Sequence, residues 1–190
     1  MVWYRCGMKK QSGGGGADFL ALASGADETF DMTDAVLGGT TANNIPKNMF
    51  RQNKSINLIE LSNVETIKQA AFYESNKIKS IAFADVVTIE SEAFYTARAN
   101  TFISLPSCKT IGNDAFRGLN SNCSASHPLY LNLPSLEQTG SWCFSSGVLY
   151  FDTVELPKIK NIGAYTFALI KQMNVLDIGE DCTVINDRTT

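Results

Sequence analysis

The stretch from Leu105 to Phe116, which reads LPSCKTIGNDAF, decides the fold because the chain repeats it. A second copy runs from Leu156 to Phe167 and reads LPKIKNIGAYTF. Both copies have a leucine–proline start, an isoleucine–glycine pair in the middle and a phenylalanine at the end, each at the same offset. Self-similarity of this kind is the sequence signature of a repeat protein.

Three columns of apolar residues extend the repeat along the chain. Each column has one member per unit and keeps nearly the same spacing, with one longer step between Phe116 and Phe144. The columns are Phe72, Phe94, Phe116, Phe144 and Phe167; Leu61, Phe83, Leu105, Leu133, Leu156 and Ile178; and Ile67, Ile89, Ile111, Thr139, Ile162 and Val184. One unit cannot bury these side chains alone, so we expect stacked units to share one continuous core.

A short strand is predicted near the start of each unit. An apolar residue lies two positions before each member of the second column, a spacing that is typical of a strand with one buried face. Pro106, Pro134 and Pro157 directly follow that column. Because proline lacks an N–H donor, these residues limit each strand to a few positions.

The chain divides into three predicted segments. Residues 51–190 form the solenoid, and residues 17–50 form an N-terminal cap and degenerate first repeat with a helix or turn around Asp31 to Leu37. Residues 1–16 are a separate docking peptide that ends in the flexible linker Gly13–Gly16. This glycine run lacks the lysine and the strand-to-helix context of a phosphate-binding loop.

Two irregularities interrupt the repeat. The longest unit, which includes the step from Phe116 to Phe144, carries a polar insertion near Gly118 to Pro128 that is predicted to be a surface loop. The last unit stops after Val184–Ile185 without a phenylalanine. We expect its open coil to be covered by a partner, by a second copy of the chain in a homo-oligomer, or by a frayed tail.

The two quoted stretches resemble the BspA-type leucine-rich repeat, and the resemblance covers roughly residues 40 to 185. It implies an α/β repeat solenoid, a right-handed leucine-rich-repeat stack of about six units. Each unit would hold about 22–28 residues, a period within the range of leucine-rich repeats. The resemblance also implies short parallel strands on one face and an N-terminal cap.

Proteins that resemble this family are mostly bacterial surface proteins implicated in adhesion to host proteins, other cells or matrix. The resemblance therefore implies a binding role. It carries no catalytic residues that could be transferred to this chain.

The opening Trp3-Tyr4-Arg5-Cys6-Gly7, followed by Gly13–Gly16, resembles the short N-terminal peptides of phage or prophage virion proteins. It lacks the basic segment and long apolar stretch of a secretory signal. The sequence therefore favours a virion component (tail, fibre or decoration) that docks on virion proteins through residues 1–16 and recognises a host-surface protein or glycan. The alternative is a BspA-like adhesin at the bacterial cell surface that binds host or matrix proteins.

Composition argues against two classes of partner. The net charge is -3, and no basic stripe of the kind that nucleic-acid binding requires is present. No run of eighteen apolar residues occurs, although 44% of the chain is apolar. We therefore expect neither nucleic-acid binding nor membrane insertion.

The sequence predicts no catalytic residue, no cofactor site and no metal site. Cys123 and His127 could pair as nucleophile and base, but a Ser/Asn-rich loop supplies no rigid site or orienting third group. The acidic residues Asp27, Glu28, Asp31 and Asp34 could bind calcium, although Asp31 and Asp34 are more simply helix-start residues. The five cysteines are expected to be free thiols, with Cys108 and Cys143 as small apolar fillers.

Outward-facing strand positions supply the candidate binding face. If the strands stack, Phe102 and Tyr130 become neighbouring exposed aromatics with Ser104, Asn132 and Glu155 beside them. Rings flanked by amides and hydroxyls suit sugar or peptide binding. The alternative is that these cross-strand aromatics only stabilise the sheet.

A second candidate patch follows the core phenylalanines. Tyr73, Tyr95 and Arg117 each come one position after a member of the phenylalanine column. They are expected to share a different side of the solenoid.

Overall fold

A computed structural model describes residues 29–31, 36–37, 40–41, 43–54, 58–60, 64–78, 81–98 and 102–186. Sixteen strands of two to seven residues lie in these ranges. In chain order they are β1 (Thr29–Asp31), β2 (Val36–Leu37), β3 (Thr40–Thr41), β4 (Asn44–Ile45), β5 (Leu58–Glu60), β6 (Thr66–Ile67), β7 (Ile81–Ala82), β8 (Thr88–Ile89), β9 (Phe102–Ser104), β10 (Thr110–Ile111), β11 (Tyr130–Asn132), β12 (Gln138–Thr139), β13 (Tyr150–Leu156), β14 (Asn161–Ile162), β15 (Gln172–Ile178) and β16 (Val184–Ile185).

Successive coils contribute strands to two sides of a parallel β-solenoid. One side is a seven-stranded parallel sheet in the order β4, β6, β8, β10, β12, β14, β16. The other side, called here the strand face, contains the three-stranded sheet β7-β9-β11 and the pair β13-β15. The repeat solenoid of about six coils is therefore confirmed.

A continuous stack of phenylalanine rings fills the interior. Each ring of the predicted column is buried, and successive ring centroids lie 5.0 to 5.7 Å apart with interplanar angles of 14° or less. Phe50 joins the N-terminal end of this stack at 5.1 Å from Phe72, as its place one unit earlier in the sequence predicted. A further column, three positions after the members of the second column, is buried as well: Val64, Val86, Cys108, Leu136 and Ile159.

Turns replace the helical part of the predicted α/β unit, since the described residues contain no helix. Residues that flank the core phenylalanines have positive φ, for example Ala70 and Glu74 around Phe72, both at 56°. Their N–H groups and that of Phe72 donate to carbonyls of the following coil, at 2.7 to 3.1 Å. The backbone groups that a helix would satisfy internally are thus satisfied between coils.

A helix or turn is predicted around Asp31 to Leu37, and both ends of that segment are strand, so a helix does not extend over all of it. Asp31 ends β1, and Leu37 ends β2, which pairs with β3 as an antiparallel hairpin. Residues 32–35, between them, lie outside the described residues. Strand β1 pairs in parallel with β5 through Phe30 and Ile59, so the same inter-coil pairing that shapes the solenoid imposes strand here.

One position in the last coil differs from the predicted column. Ile185, not Val184, pairs with Ile162 across β14 and β16. The final coil therefore holds one residue more than the predicted column implied. Both side chains are exposed, and the prediction that a second copy covers this end stays a prediction.

Candidate binding surface

The aromatic pair predicted for the strand face is formed. Strands β9 and β11 pair in parallel with Phe102 opposite Tyr130, and their rings stack at 5.5 Å with an interplanar angle of 5°. Phe102 is 38% exposed and Tyr130 58% exposed, because buried residues alternate with them along each strand. The pair therefore presents a large apolar area to solvent.

Polar side chains flank the pair in the same register. Ser104 lies opposite Asn132, and the Asn132 Nδ2 donates a 2.9 Å hydrogen bond to Ser104 Oγ. This bond fixes the orientation of the amide, whose Oδ1 can still accept a hydrogen bond. Four of the five strand-face residues predicted from the sequence therefore lie side by side as expected.

Glu155 is the exception, because the sheet is interrupted before it. Along β13, Phe151 and Val154 are buried whereas Asp152 and Thr153 both point outward. At the equivalent place in β11, only one outward residue, Tyr130, lies between the buried residues Leu129 and Leu131. Strand β13 thus has one residue more than β11 between equivalent buried positions, a two-against-one count like that of a β-bulge, and the two strands belong to separate sheets. Glu155 and Asn132 therefore line the same groove without pairing, which corrects the prediction of one unbroken ladder.

The groove, called here the bulge groove, has a volume of about 420 Å³. Tyr130, Asn132 and Pro134 line its β11 side, while residues 152–153, Glu155 and Pro157 line its β13 side. The strands still meet before the extra residue, where Leu129 N donates to Tyr150 O at 2.7 Å. The bulge groove therefore lies between two strands of the strand face that are hydrogen-bonded at one end.

The second predicted patch lies on the turn side of the coils. Tyr73 and Tyr95 stack at 4.9 Å, and the guanidinium of Arg51 lies 4.2 Å from the Tyr73 ring centroid. Burial, followed by the neighbouring Glu74 carboxylate, raises the pKa of Tyr73, so this hydroxyl stays neutral at pH 7. The adjacency of the two tyrosines matches the prediction.

Arg117 extends the patch with partners that the sequence pattern did not reveal. Its guanidinium lies 4.6 Å from the Trp142 ring, and Trp142 stacks on Tyr165 at 4.2 Å. Asp114 Oδ1 accepts a 2.9 Å salt-bridged hydrogen bond from Arg117 Nη1. Trp142 and Tyr165 come two positions before a core phenylalanine, not one position after it. A search of the single column after the phenylalanines therefore could not find them.

In the inserted loop, Cys123 and His127 each contact other groups. Cys123 Sγ lies 3.4 Å from Val148 O and 3.3 Å from Tyr150 N, so it packs against the start of β13. His127 is exposed, and its Nδ1 lies 3.0 Å from Ser126 Oγ. The two side chains thus have other partners.

Two other thiols are buried fillers, as predicted. Cys108 and Cys143 are free and fully buried. Burial raises the pKa of Cys108 to about 12 and also raises the pKa of Cys143. Both therefore remain neutral thiols at physiological pH.

No metal-ligand cluster occurs within the described ranges, where no three His, Cys, Asp or Glu side chains could hold an ion together. Of the acidic residues considered for calcium, Asp27, Glu28 and Asp34 lie outside those ranges. Asp31 ends β1, which removes its predicted place at a helix start.

Comparison with known proteins agrees with this architecture. A family model described as the BspA type leucine rich repeat region matches six copies, over residues 43–132 and 87–189. The chain belongs to the BspA-type leucine-rich-repeat family. No curated protein and no solved structure matches it.

BspA-type repeats form a solenoid scaffold that typically binds other proteins or serves a structural role without catalysis, and proteins that contain them are often associated with surfaces. No helix in the described part of the chain has the length and apolar character of a membrane span. The strand face is therefore one candidate binding surface. The other is the turn-side patch, which consists of Tyr73, Tyr95, Arg117, Trp142 and Tyr165.

Proposed function

We propose that this BspA-type protein is a non-enzymatic recognition module whose strand face binds a protein or glycan on a cell surface. The observation that carries the proposal is the exposed stack of Phe102 and Tyr130 beside the Ser104–Asn132 pair. Stacked rings supply contact area at low entropic cost, and the amide and hydroxyl add orientation-dependent hydrogen bonds. The core does not need this pair, because it is filled by the separate phenylalanine stack.

The proposed setting is a phage or prophage virion, with residues 1–16 docked on other virion proteins and the solenoid directed outward. The support for this setting is the resemblance of Trp3 to Gly7 and of Gly13 to Gly16 to virion peptides. The second candidate is a cell-surface adhesin, which is supported by the habit of the BspA-type family. Removing residues 1–16 separates the two: loss of the protein from purified particles supports the virion, and unchanged incorporation contradicts it.

Binding to surfaces is the first prediction. We expect the fluorescently labelled full chain to bind a subset of intact bacterial strains, or components of a glycan or matrix-protein array, saturably. Excess unlabelled chain should displace it, which serves as the control for adsorption. If the chain bound none of the bacterial strains, glycans or matrix proteins in a displaceable way, surface recognition would be contradicted. A purely structural role in a larger particle would then remain.

A further inference from the structure

The bulge groove combines an aromatic face with carboxylates. One face of the Tyr130 ring is covered by Phe102, and the other is directed toward β13, because β11 pairs with β9 on one side and contacts β13 on the other. On the β13 side the groove is lined by Asp152 and Glu155, both exposed. A ligand group in the groove therefore lies between a π face and negative charge.

Within the described part of the chain, no lysine or arginine forms a salt bridge with these carboxylates. Asp152 Oδ1 accepts a 2.8 Å hydrogen bond from Asn174 Nδ2, which orients the group and leaves Oδ2 available. Strands β9, β11, β13 and β15 contain no lysine or arginine. The charged residues of these four strands are thus all acidic, which favours a cationic partner.

Another site in the chain combines a ring, a carboxylate and a cation. The Arg117 guanidinium lies over the Trp142 ring at 4.6 Å and contacts the Asp114 carboxylate at 2.9 Å. The bulge groove presents a ring and carboxylates in the same combination, but its lining residues include no cation. A guanidinium fits because it stacks on a ring through its face and donates to carboxylates through its edge.

We propose that the bulge groove binds an arginine side chain of a protein partner, with the guanidinium on Tyr130 and its N–H groups donating to Asp152 and Glu155. This inference rests on the proposed function, since it specifies the partner of the strand face as a protein with an exposed arginine. Pro134 and Pro157 stiffen the two sides of the groove, so little ordering is required on binding.

The test is a titration of the full chain, isotope-labelled, with N-acetyl-arginine amide, followed by amide chemical shifts. We expect localised, saturable shifts at Tyr130 and residues 152–155, with an affinity of roughly millimolar for so small a probe. N-acetyl-citrulline amide has nearly the same shape without the charge and is expected to cause no such shifts. Equal shifts with citrulline, no shifts at the groove, or shifts there with neutral methyl glycosides alone would each overturn the proposal.

Charge-removing variants give the matched comparison. Asp152→Asn with Glu155→Gln keeps the shape of the groove and should weaken the arginine probe by about tenfold or more. Glu180→Gln with Asp181→Asn removes the same two charges from an exposed turn and should leave the affinity unchanged. Equal affinity of both variants for the probe would overturn the inference.

The surface-binding assay separates this inference from the proposed function. If wild-type chain binds surfaces but the probe leaves the groove unaffected, the arginine site fails and surface recognition stands. If the probe shifts the groove but the chain binds no surface, the arginine site stands and surface recognition fails.

Discussion

Replacing Phe116 with alanine is expected to lower the free energy of unfolding by about 3 to 5 kcal/mol, the usual cost of truncating a buried ring. Phe116 is fully buried, and its ring stacks on Phe94 at 5.1 Å and on Phe144 at 5.2 Å. Neighbouring coils cannot close the cavity easily, because their spacing is fixed by inter-coil hydrogen bonds such as Phe116 N to Cys143 O at 2.9 Å.

Urea unfolding followed by circular dichroism measures this loss. The matched control is Phe102→Ala, which removes the same side chain from the exposed stack and should cost about 1 kcal/mol. If both variants lost the same stability, the phenylalanine column would not be the core that the repeat register predicts.

Replacing Gly163 with alanine is expected to cost about 3 kcal/mol or more, by forcing two coils apart. A Cβ at this position would overlap the carbonyl carbon and oxygen of Gly140 and would lie 2.7 Å from Ser141 N. These are backbone atoms of the preceding coil, so no side chain can rotate away. The glycine of the repeated isoleucine–glycine pair is therefore required by the close approach of coils.

Gly147→Ala is the control for this substitution. The nearest atom to a Cβ there is Leu169 O at 4.0 Å, an ordinary contact. We expect its unfolding midpoint in urea to stay near that of the wild type, while Gly163→Ala unfolds at a clearly lower concentration. A Gly163→Ala midpoint equal to that of Gly147→Ala would contradict the close inter-coil packing.

The core was predictable because identical positions recur in every coil. Phe72 and Ile67 each have counterparts one unit away, so a single register places the buried residues of all coils with few errors. The errors occur where a unit gains a residue and the spacing does not show where in the unit that residue lies. The step from Phe144 to Phe167 is one position longer than the steps before Phe116, and the spacing alone does not tell that the extra residue lies at residues 152–153.

For the candidate surfaces, the sequence predicted contacts between residues at equivalent positions of neighbouring coils but not contacts between different positions. Phe102 and Tyr130 occupy equivalent positions, so their stacking follows from the register alone. Arg117 and Trp142 occupy different positions in their units and meet because long side chains reach across neighbouring coils. The bulge groove likewise depends on three-dimensional geometry that apolar periodicity does not encode.

The measurement that tests the central claim most directly compares the two candidate surfaces in the surface-binding assay. Phe102→Ser with Tyr130→Ser alters the strand face, and Tyr73→Ser with Tyr95→Ser alters the turn-side patch by the same kind of change. We predict that the strand-face variant loses binding by about tenfold or more while the turn-side variant binds like wild type. Retained binding by a folded strand-face variant, with loss in the turn-side variant, would contradict the account.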